Sequence, residues 1–327
     1  MLTSGDTDAM VTAAHPAGAA ASEDAGCAWA DELRRRLSAD AVVVAREPMA
    51  RRTTLGVGGP ADVYVEPAGE TDLAQVRQYC RERAVPFRVV GRGSNLLVRD
   101  GGIRGVVVGL HHASFSRVDV EADRVSAGAG ARLKLVAIAA RRGGLTGLEF
   151  LEGIPGSVGG ALRMNAGAYA AWTFDRIESV RYMTPEGAVG ETPASAVPAQ
   201  YRSCPFFADH IALAATFRGE PAAAEVIRAR MDEFSRRRWA TQPRQSSAGC
   251  IFKNPPTIPA GRLIDELGLK GAQVGGAEVS TVHANFMVNT GGATAADFLE
   301  LITRVRERAR MVAGLELETE VEIVGED

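Results

Sequence analysis

Apolar positions along the chain alternate between helical spacing and spacing of two, and each change of period marks an element. In residues 71–83, Leu73, Val76 and Cys80 recur at helical spacing behind a Thr71 cap. The runs 87–90 and 103–108 predict strands, 124–127 another, and 133–142 a helix stopped by Gly143 and Gly144. From 177 to 217 short strand-like runs alternate with turns such as Pro185-Glu186-Gly187. The composition changes at Gly219-Glu220-Pro221, which opens a helix with Pro221 in its first turn and Ile227, Met231 and Phe234 as its buried stripe. A loop over 241–259 follows, then a helix over 262–267 closed by Gly268, a strand over 284–289, and a helix over 294–313 carrying Phe298, Ile302, Val305 and Val312 up to Gly314. The last segment, 316–324, alternates strictly: Leu317, Thr319, Val321 and Ile323 on one face, Glu316, Glu318, Glu320 and Glu322 on the other. These periods divide the chain into a disordered tail over 1–35, two α/β units over 36–110 and 111–218, and an α+β unit over 219–327.

Composition narrows the class. At 327 residues the chain is long enough for two or three domains, and its net charge of -3 calls for neither nucleic acid nor an anionic membrane. The first thirty residues are small and polar and lack the basic start and apolar stretch of a secretory signal. No apolar run reaches the roughly 18 residues of a membrane span. Cys27, Cys80, Cys204 and Cys250 lack both zinc-site and disulfide-framework spacing, so no metal is expected and a soluble protein of the reducing cytoplasm is.

Two glycine loops carry the first chemical signal. Gly91-Arg92-Gly93-Ser94-Asn95-Leu96 lies between two predicted strands, and Gly153-Ile154-Pro155-Gly156-Ser157-Val158-Gly159-Gly160 runs on to Asn165-Ala166-Gly167. Such density suits main-chain N–H groups turned toward an anion. Either loop alone reads as a tight turn; two together suit a diphosphate cofactor. Neither has the Gly-x-Gly-x-x-Gly pattern that opens a dinucleotide-binding helix, so a Rossmann domain is not expected.

The second signal is Ala248-Gly249-Cys250-Ile251-Phe252-Lys253-Asn254-Pro255, a thiol in a flexible loop. A free cysteine is commonly a small core residue; with a reference pKa of about 8.5 it can also serve as proton donor or nucleophile. Lys253 would favour the thiolate unless a phosphate holds its charge.

These segments, with Tyr201-Arg202-Ser203 and the stretch from Leu269-Lys270-Gly271 to Gly275-Gly276-Ala277, resemble in order the UDP-N-acetylenolpyruvoylglucosamine reductase (MurB) family from about residue 53 to 325. The resemblance implies an α+β protein: an FAD-binding fold of the vanillyl-alcohol-oxidase (PCMH) type in two α/β subdomains, plus a C-terminal α+β substrate domain. It implies non-covalent FAD, NADPH as hydride donor, and reduction of UDP-N-acetylglucosamine enolpyruvate to UDP-N-acetylmuramate in peptidoglycan precursor synthesis. Its partners would be a UDP-sugar and NADPH, acting on a monomer. It assigns Arg202, Cys250 and Glu320 to catalysis: Arg202 binds the substrate carboxylate, Glu320 acts as a protonated acid or an orienting partner, and Cys250 stands where the family usually has a serine proton donor. Flavin contacts fall on Gly91, Arg92, Gly93, Ser94, Asn95, Leu96, Gly153, Ile154, Pro155, Gly156, Ser157, Gly160, Asn165, Ala166 and Gly167. Tyr201, Gln242, Lys253, Asn254 and His283 would hold the substrate. The short segment between Arg202 and Cys250 resembles the subgroup lacking a tyrosine-bearing lid. An FAD-dependent oxidase of a hydroxy acid or sugar, or an inactive flavin- or UDP-sugar-binding regulator, are the competing readings.

Overall fold

The computed structural model describes residues 23–327. Its first sheet has the strand order Val42–Pro48, Pro60–Glu66, Ile103–Gly109, Phe87–Val90; the last three run parallel and the first antiparallel. A five-stranded antiparallel sheet follows, ordered Val189–Pro193, Ile177–Met183, Ile211–Arg218, Arg124–Gly128, Val118–Glu121. The two sheets share one core, in which Val63 and Val106 of the first join Val125, Val180 and Phe217 of the second.

Helix Ala224–Thr241 inserts Ile227 and Met231 into that same core. The unit drawn from residue 219 is therefore corrected: this helix packs with the first two units. Pro221 is corrected as well, since it sits in the two-residue strand Glu220–Pro221, paired with Leu145–Thr146, ahead of the helix. Part of the predicted tail is also ordered: Glu23–Arg36 is a helix that buries Ala30 and Leu33, while residues 1–22 of the tail lie outside the described residues.

The remaining unit has a core of its own. Strands Ser247–Cys250, Phe286–Asn289, Ala277–Val279 and Gln273–Val274 form its antiparallel sheet in that order, covered by helix Ala295–Ala313. Thr294 and Asp297 form a capping box at this helix's start, and Gly314 ends it at φ 64. Phe298, Leu301, Ile302 and Val305 are buried, each worth about 1.5–3 kcal/mol of removed apolar surface. Val312, expected on the same stripe, is 56% exposed.

Two links fix this unit against the first glycine loop. The Asp100 carboxylate accepts the N–H groups of Ala295 and Ala296, both at 2.9 Å, neutralising the positive helix terminus. The predicted final strand contracts to Glu322–Val324, which pairs in parallel with Leu96–Val98. Before it, residues 316–321 run as an irregular strap: the Glu320 N–H donates to Ile251 O at 2.7 Å, and Asn95 Nδ2 donates to Glu320 O at 3.1 Å. The strap thereby sets Glu320 between the two signal loops.

Candidate active site

The two glycine loops face each other. A methyl group on Gly91 would lie 2.9 Å from Ser157 Oγ, and one on Gly156 3.2 Å from Ser94 Oγ. Gly156 has φ +146 and Gly93 φ +62, conformations that disfavour side chains. Among the described residues, the main-chain N–H groups of Arg92, Gly93 and Ser94 meet no protein acceptor. The loops line a cleft of about 430 Å³ that adjoins a second cavity of about 670 Å³, with Gly91, Ser157 and Gly160 on the wall of both. Unpaired donors in a glycine cradle, continuous with a long cavity, fit the diphosphate of FAD.

Arg202, Cys250 and Glu320 line the same cleft. Arg202 takes φ 54, an uncommon conformation for a non-glycine residue, in the turn between the mutually bonded Gln200 and Ser203. Its Nε stands 2.9 Å from Glu320 Oε1, and both side chains are largely covered, at 24% and 11% exposure. The Nε–H is not aimed at that oxygen, so the contact is an ion pair without good hydrogen-bond geometry. Burial pushes the Glu320 carboxyl above its ordinary pKa, against the opposing pull of Arg202. Burial, reinforced by Glu320, pushes the Cys250 thiol up to about 12, with Arg202 and a hydrogen bond from Asn285 opposing. Cys250 is therefore a neutral thiol at pH 7. Lys253 does not act on the thiol as expected, because its ammonium pairs with Glu318 at 3.0 Å.

The cleft wall includes every expected cofactor residue except Asn165, and one expected substrate residue, Gln242. Asn165 lies off that wall: its Nδ2 donates to Gln200 O at 3.2 Å and its Oδ1 accepts Phe174 N–H at 3.1 Å, which braces the turn that carries Arg202. Tyr201 projects outward, 53% exposed, with its ring edge-on to Trp172. Asn254 Oδ1 accepts the Ala260 N–H at 3.0 Å and so caps helix Ala260–Glu266. His283 packs against Phe286 and Gly261, and its Nδ1 accepts the Asn285 N–H at 3.2 Å. None of Tyr201, Lys253, Asn254 and His283 lies on the cleft wall.

Other residues enter the site without a sequence signal. Asn285, 3% exposed, clamps the Phe252 peptide from both sides: Oδ1 accepts its N–H at 2.9 Å and Nδ2 donates to its O at 2.8 Å. Arg88 and Arg163 reach the cleft and both pair with Glu322, at 2.9 and 3.4 Å. Arg238, Trp239 and Arg244 border it from the end of helix Ala224–Thr241 and the segment beyond.

Comparison with known proteins agrees with this architecture. Residues 61–192 match the FAD binding domain family, and residues 242–324 match the family described as UDP-N-acetylenolpyruvoylglucosamine reductase, C-terminal domain. The chain is 46% identical over 304 residues to the UDP-N-acetylenolpyruvoylglucosamine reductase of Geobacter metallireducens, covering 91% of this chain and 99% of the relative. It is 43% identical to that of Syntrophomonas wolfei, covering 86% of this chain and 94% of the relative. The crystal structure of UDP-N-acetylenolpyruvylglucosamine reductase (MurB) from Thermus caldophilus superimposes with a TM-score of 0.75 at 39% identity, covering 86% of this chain and 98% of that one. The two sheet units are thus an FAD-binding fold of the PCMH type joined to a third, C-terminal unit, and the chain belongs to the UDP-N-acetylenolpyruvoylglucosamine reductase family.

Proposed function

We propose that this chain reduces the enolpyruvyl ether of UDP-N-acetylglucosamine enolpyruvate to the lactyl ether of UDP-N-acetylmuramate, with Arg202, Cys250 and Glu320 as its catalytic residues. It is a flavoprotein oxidoreductase of peptidoglycan precursor synthesis that uses FAD and NADPH. The observation that carries the residue assignment is the convergence of a guanidinium, a carboxyl and a neutral thiol on the cleft that the glycine loops line.

The main-chain donors of Arg92, Gly93 and Ser94 would hold the diphosphate of FAD, and the bound flavin would supply the hydride that the vinyl methylene of the substrate receives. The protein's work is charge and proton. Arg202 receives the substrate carboxylate and holds the negative charge that spreads into it, at a point where covered surroundings strengthen the interaction. Cys250 delivers a proton to the adjacent carbon; its raised pKa keeps that proton in place until charge develops beside it. Glu320 orients Arg202 and, protonated more readily than a free carboxyl, returns a proton to the sulfur.

The segment between Arg202 and Cys250 is filled by helix Phe206–Asp209, strand Ile211–Arg218 and helix Ala224–Thr241, which supports placing the chain in the subgroup without the tyrosine-bearing lid. FAD binding belongs to residues 36–218 and helix Ala224–Thr241, and substrate binding to the cleft edge formed with the remaining C-terminal unit.

The test follows NADPH consumption by the purified protein with and without the enolpyruvyl substrate. Substrate-dependent oxidation with UDP-N-acetylmuramate as product supports the proposal. Flavin that reoxidises in air at the same rate with and without substrate overturns it.

A further inference from the structure

We propose that Trp172 and Tyr201 are positioning residues for Arg202: their rings hold its guanidinium in place while leaving its N–H groups free for the substrate carboxylate. The inference deepens the reductase reading and rests on it for the role of Arg202.

Among the described residues, Arg202 has one ion pair, with Glu320, and that contact lacks hydrogen-bond geometry. Its Cζ lies 5.9 Å from the centroid of the Trp172 ring and 5.8 Å from that of Tyr201. The two rings meet edge-on, their centroids 5.4 Å apart and their planes at 81°. Trp172 is itself fixed. It ends a two-residue hairpin in which strand Gly167–Ala168 pairs with Ala171–Trp172. The indole lies against Gly167, leaving no room for a methyl group there, and Gly167 is on the cleft wall. The Trp172 N–H donates to Asp175 Oδ2 at 2.8 Å. The turn residues Tyr169 and Ala170 take φ 56 and 61, left-handed values that side chains disfavour. The Tyr169 ring stacks on Phe234 at 4.2 Å and its hydroxyl donates to Phe234 O at 2.7 Å, which pins this turn to helix Ala224–Thr241.

A guanidinium can be held by hydrogen-bond acceptors or by aromatic rings. Acceptors would consume the N–H groups that have to reach the substrate; a ring attracts the cation through its quadrupole and consumes none. Such attraction strengthens where water is excluded, and the Arg202 side chain is largely covered. The turn that carries Arg202 is braced by Asn165, just ahead of the hairpin, so the guanidinium and the indole are set by one segment. Trp172 thereby connects Gly167 of the cofactor loop to Arg202, with Glu320 as the charged partner and Tyr201 as the second ring. Tyr201, expected to touch the substrate, lies off the cleft wall and acts on Arg202.

The test compares four FAD-loaded proteins, wild type, Trp172→Leu, Arg202→Ala and the double variant, by turnover of the enolpyruvyl substrate and by the rate of flavin reduction with NADPH. Trp172→Leu should lower kcat about three- to thirtyfold, the range of one cation–π contact, with flavin content and the rate of reduction by NADPH unchanged. Trp172→Phe, which keeps a ring, should recover most of that loss. In the Arg202→Ala background Trp172→Leu should cost nothing further, because a positioning residue acts only through the group it positions. A loss of the same size in that background overturns the inference, as does wild-type kcat in Trp172→Leu. Where Trp172→Leu sheds its flavin, Tyr201→Leu, at a half-exposed position, is measured in the same two backgrounds and decides by the same criteria. A wild type that leaves the enolpyruvyl substrate unreduced sinks the reductase reading alone. Thermal unfolding of the same four proteins then decides the ring contact: non-additive shifts in melting temperature support it, and additive shifts overturn it.

Discussion

Replacing Arg202 with lysine keeps the positive charge and removes the planar fork. Its Nε stands 2.9 Å from Glu320, with the pair mostly covered, so in the proposed mechanism Glu320 holds the guanidinium ready for the substrate carboxylate. One well-aimed donor to a developing anion is worth about 3–4 kcal/mol, which corresponds to a fall in kcat of about 10²–10³. The ammonium recovers some Coulomb energy but not the two-point contact, so Arg202→Lys should lose about 10²-fold and Arg202→Ala about 10³-fold. Folding should suffer less, because Glu320, already raised in pKa by burial, takes up a proton when its partner leaves. The assay is steady-state NADPH oxidation with the enolpyruvyl substrate, beside thermal unfolding of each variant. Arg202→Lys turning over within about threefold of wild type, with an unchanged melting temperature, would refute the assignment of charge stabilisation to this residue.

Further outcomes follow from particular contacts. Gly91→Ala places a methyl 2.9 Å from Ser157 Oγ inside the cradle, so the purified variant should keep its circular dichroism and lose most of its bound flavin absorbance. The Cys250 thiol, pushed up to about 12 by burial, should resist iodoacetamide at pH 7–8, while the exposed Cys27 is modified; peptide mapping of labelled protein distinguishes them. Asp72 is buried, which by itself raises its pKa, yet three hydrogen bonds from Ser38 N–H, Ser38 Oγ–H and Ala68 N–H outweigh that and lower it below 3.8. A depressed carboxyl contributes stability above its unfolded pKa and loses it as pH falls through the folded one. Asp72→Ala should therefore cost about 1.5–3 kcal/mol at pH 7 by denaturant titration, a gap that closes below pH 3.8.

Several features of the site were legible because they depend on local chain chemistry. Glycine density marked both cradles, and flexible Gly249 beside Cys250 marked the thiol loop, since these conformations exclude most side chains. Helices such as Ala295–Ala313 were readable from period, cap and terminal glycine. Long-range packing hid the rest. Glu320 is one of four alternating glutamates, and only the strap between Ile251 and Asn95 sets it apart. Lys253 and Asn254 sit beside Cys250 in sequence, but a surface carboxylate and a helix terminus claim them. The helix Glu23–Arg36 and the residue after it show Ala30, Leu33 and Leu37 at helical spacing, obscured by alanine and charge.

In the proposed mechanism the Cys250 thiol protonates the substrate carbon after hydride arrives. The direct measurement mixes protein prereduced with NADPH against the enolpyruvyl substrate without oxygen, in wild type, Cys250→Ser and Cys250→Ala. Wild type and Cys250→Ser should form UDP-N-acetylmuramate, and Cys250→Ala should be slowed by about 10²–10⁴ while its reduction by NADPH stays at the wild-type rate. Product formed by Cys250→Ala at the wild-type rate would show that this thiol is not the proton donor.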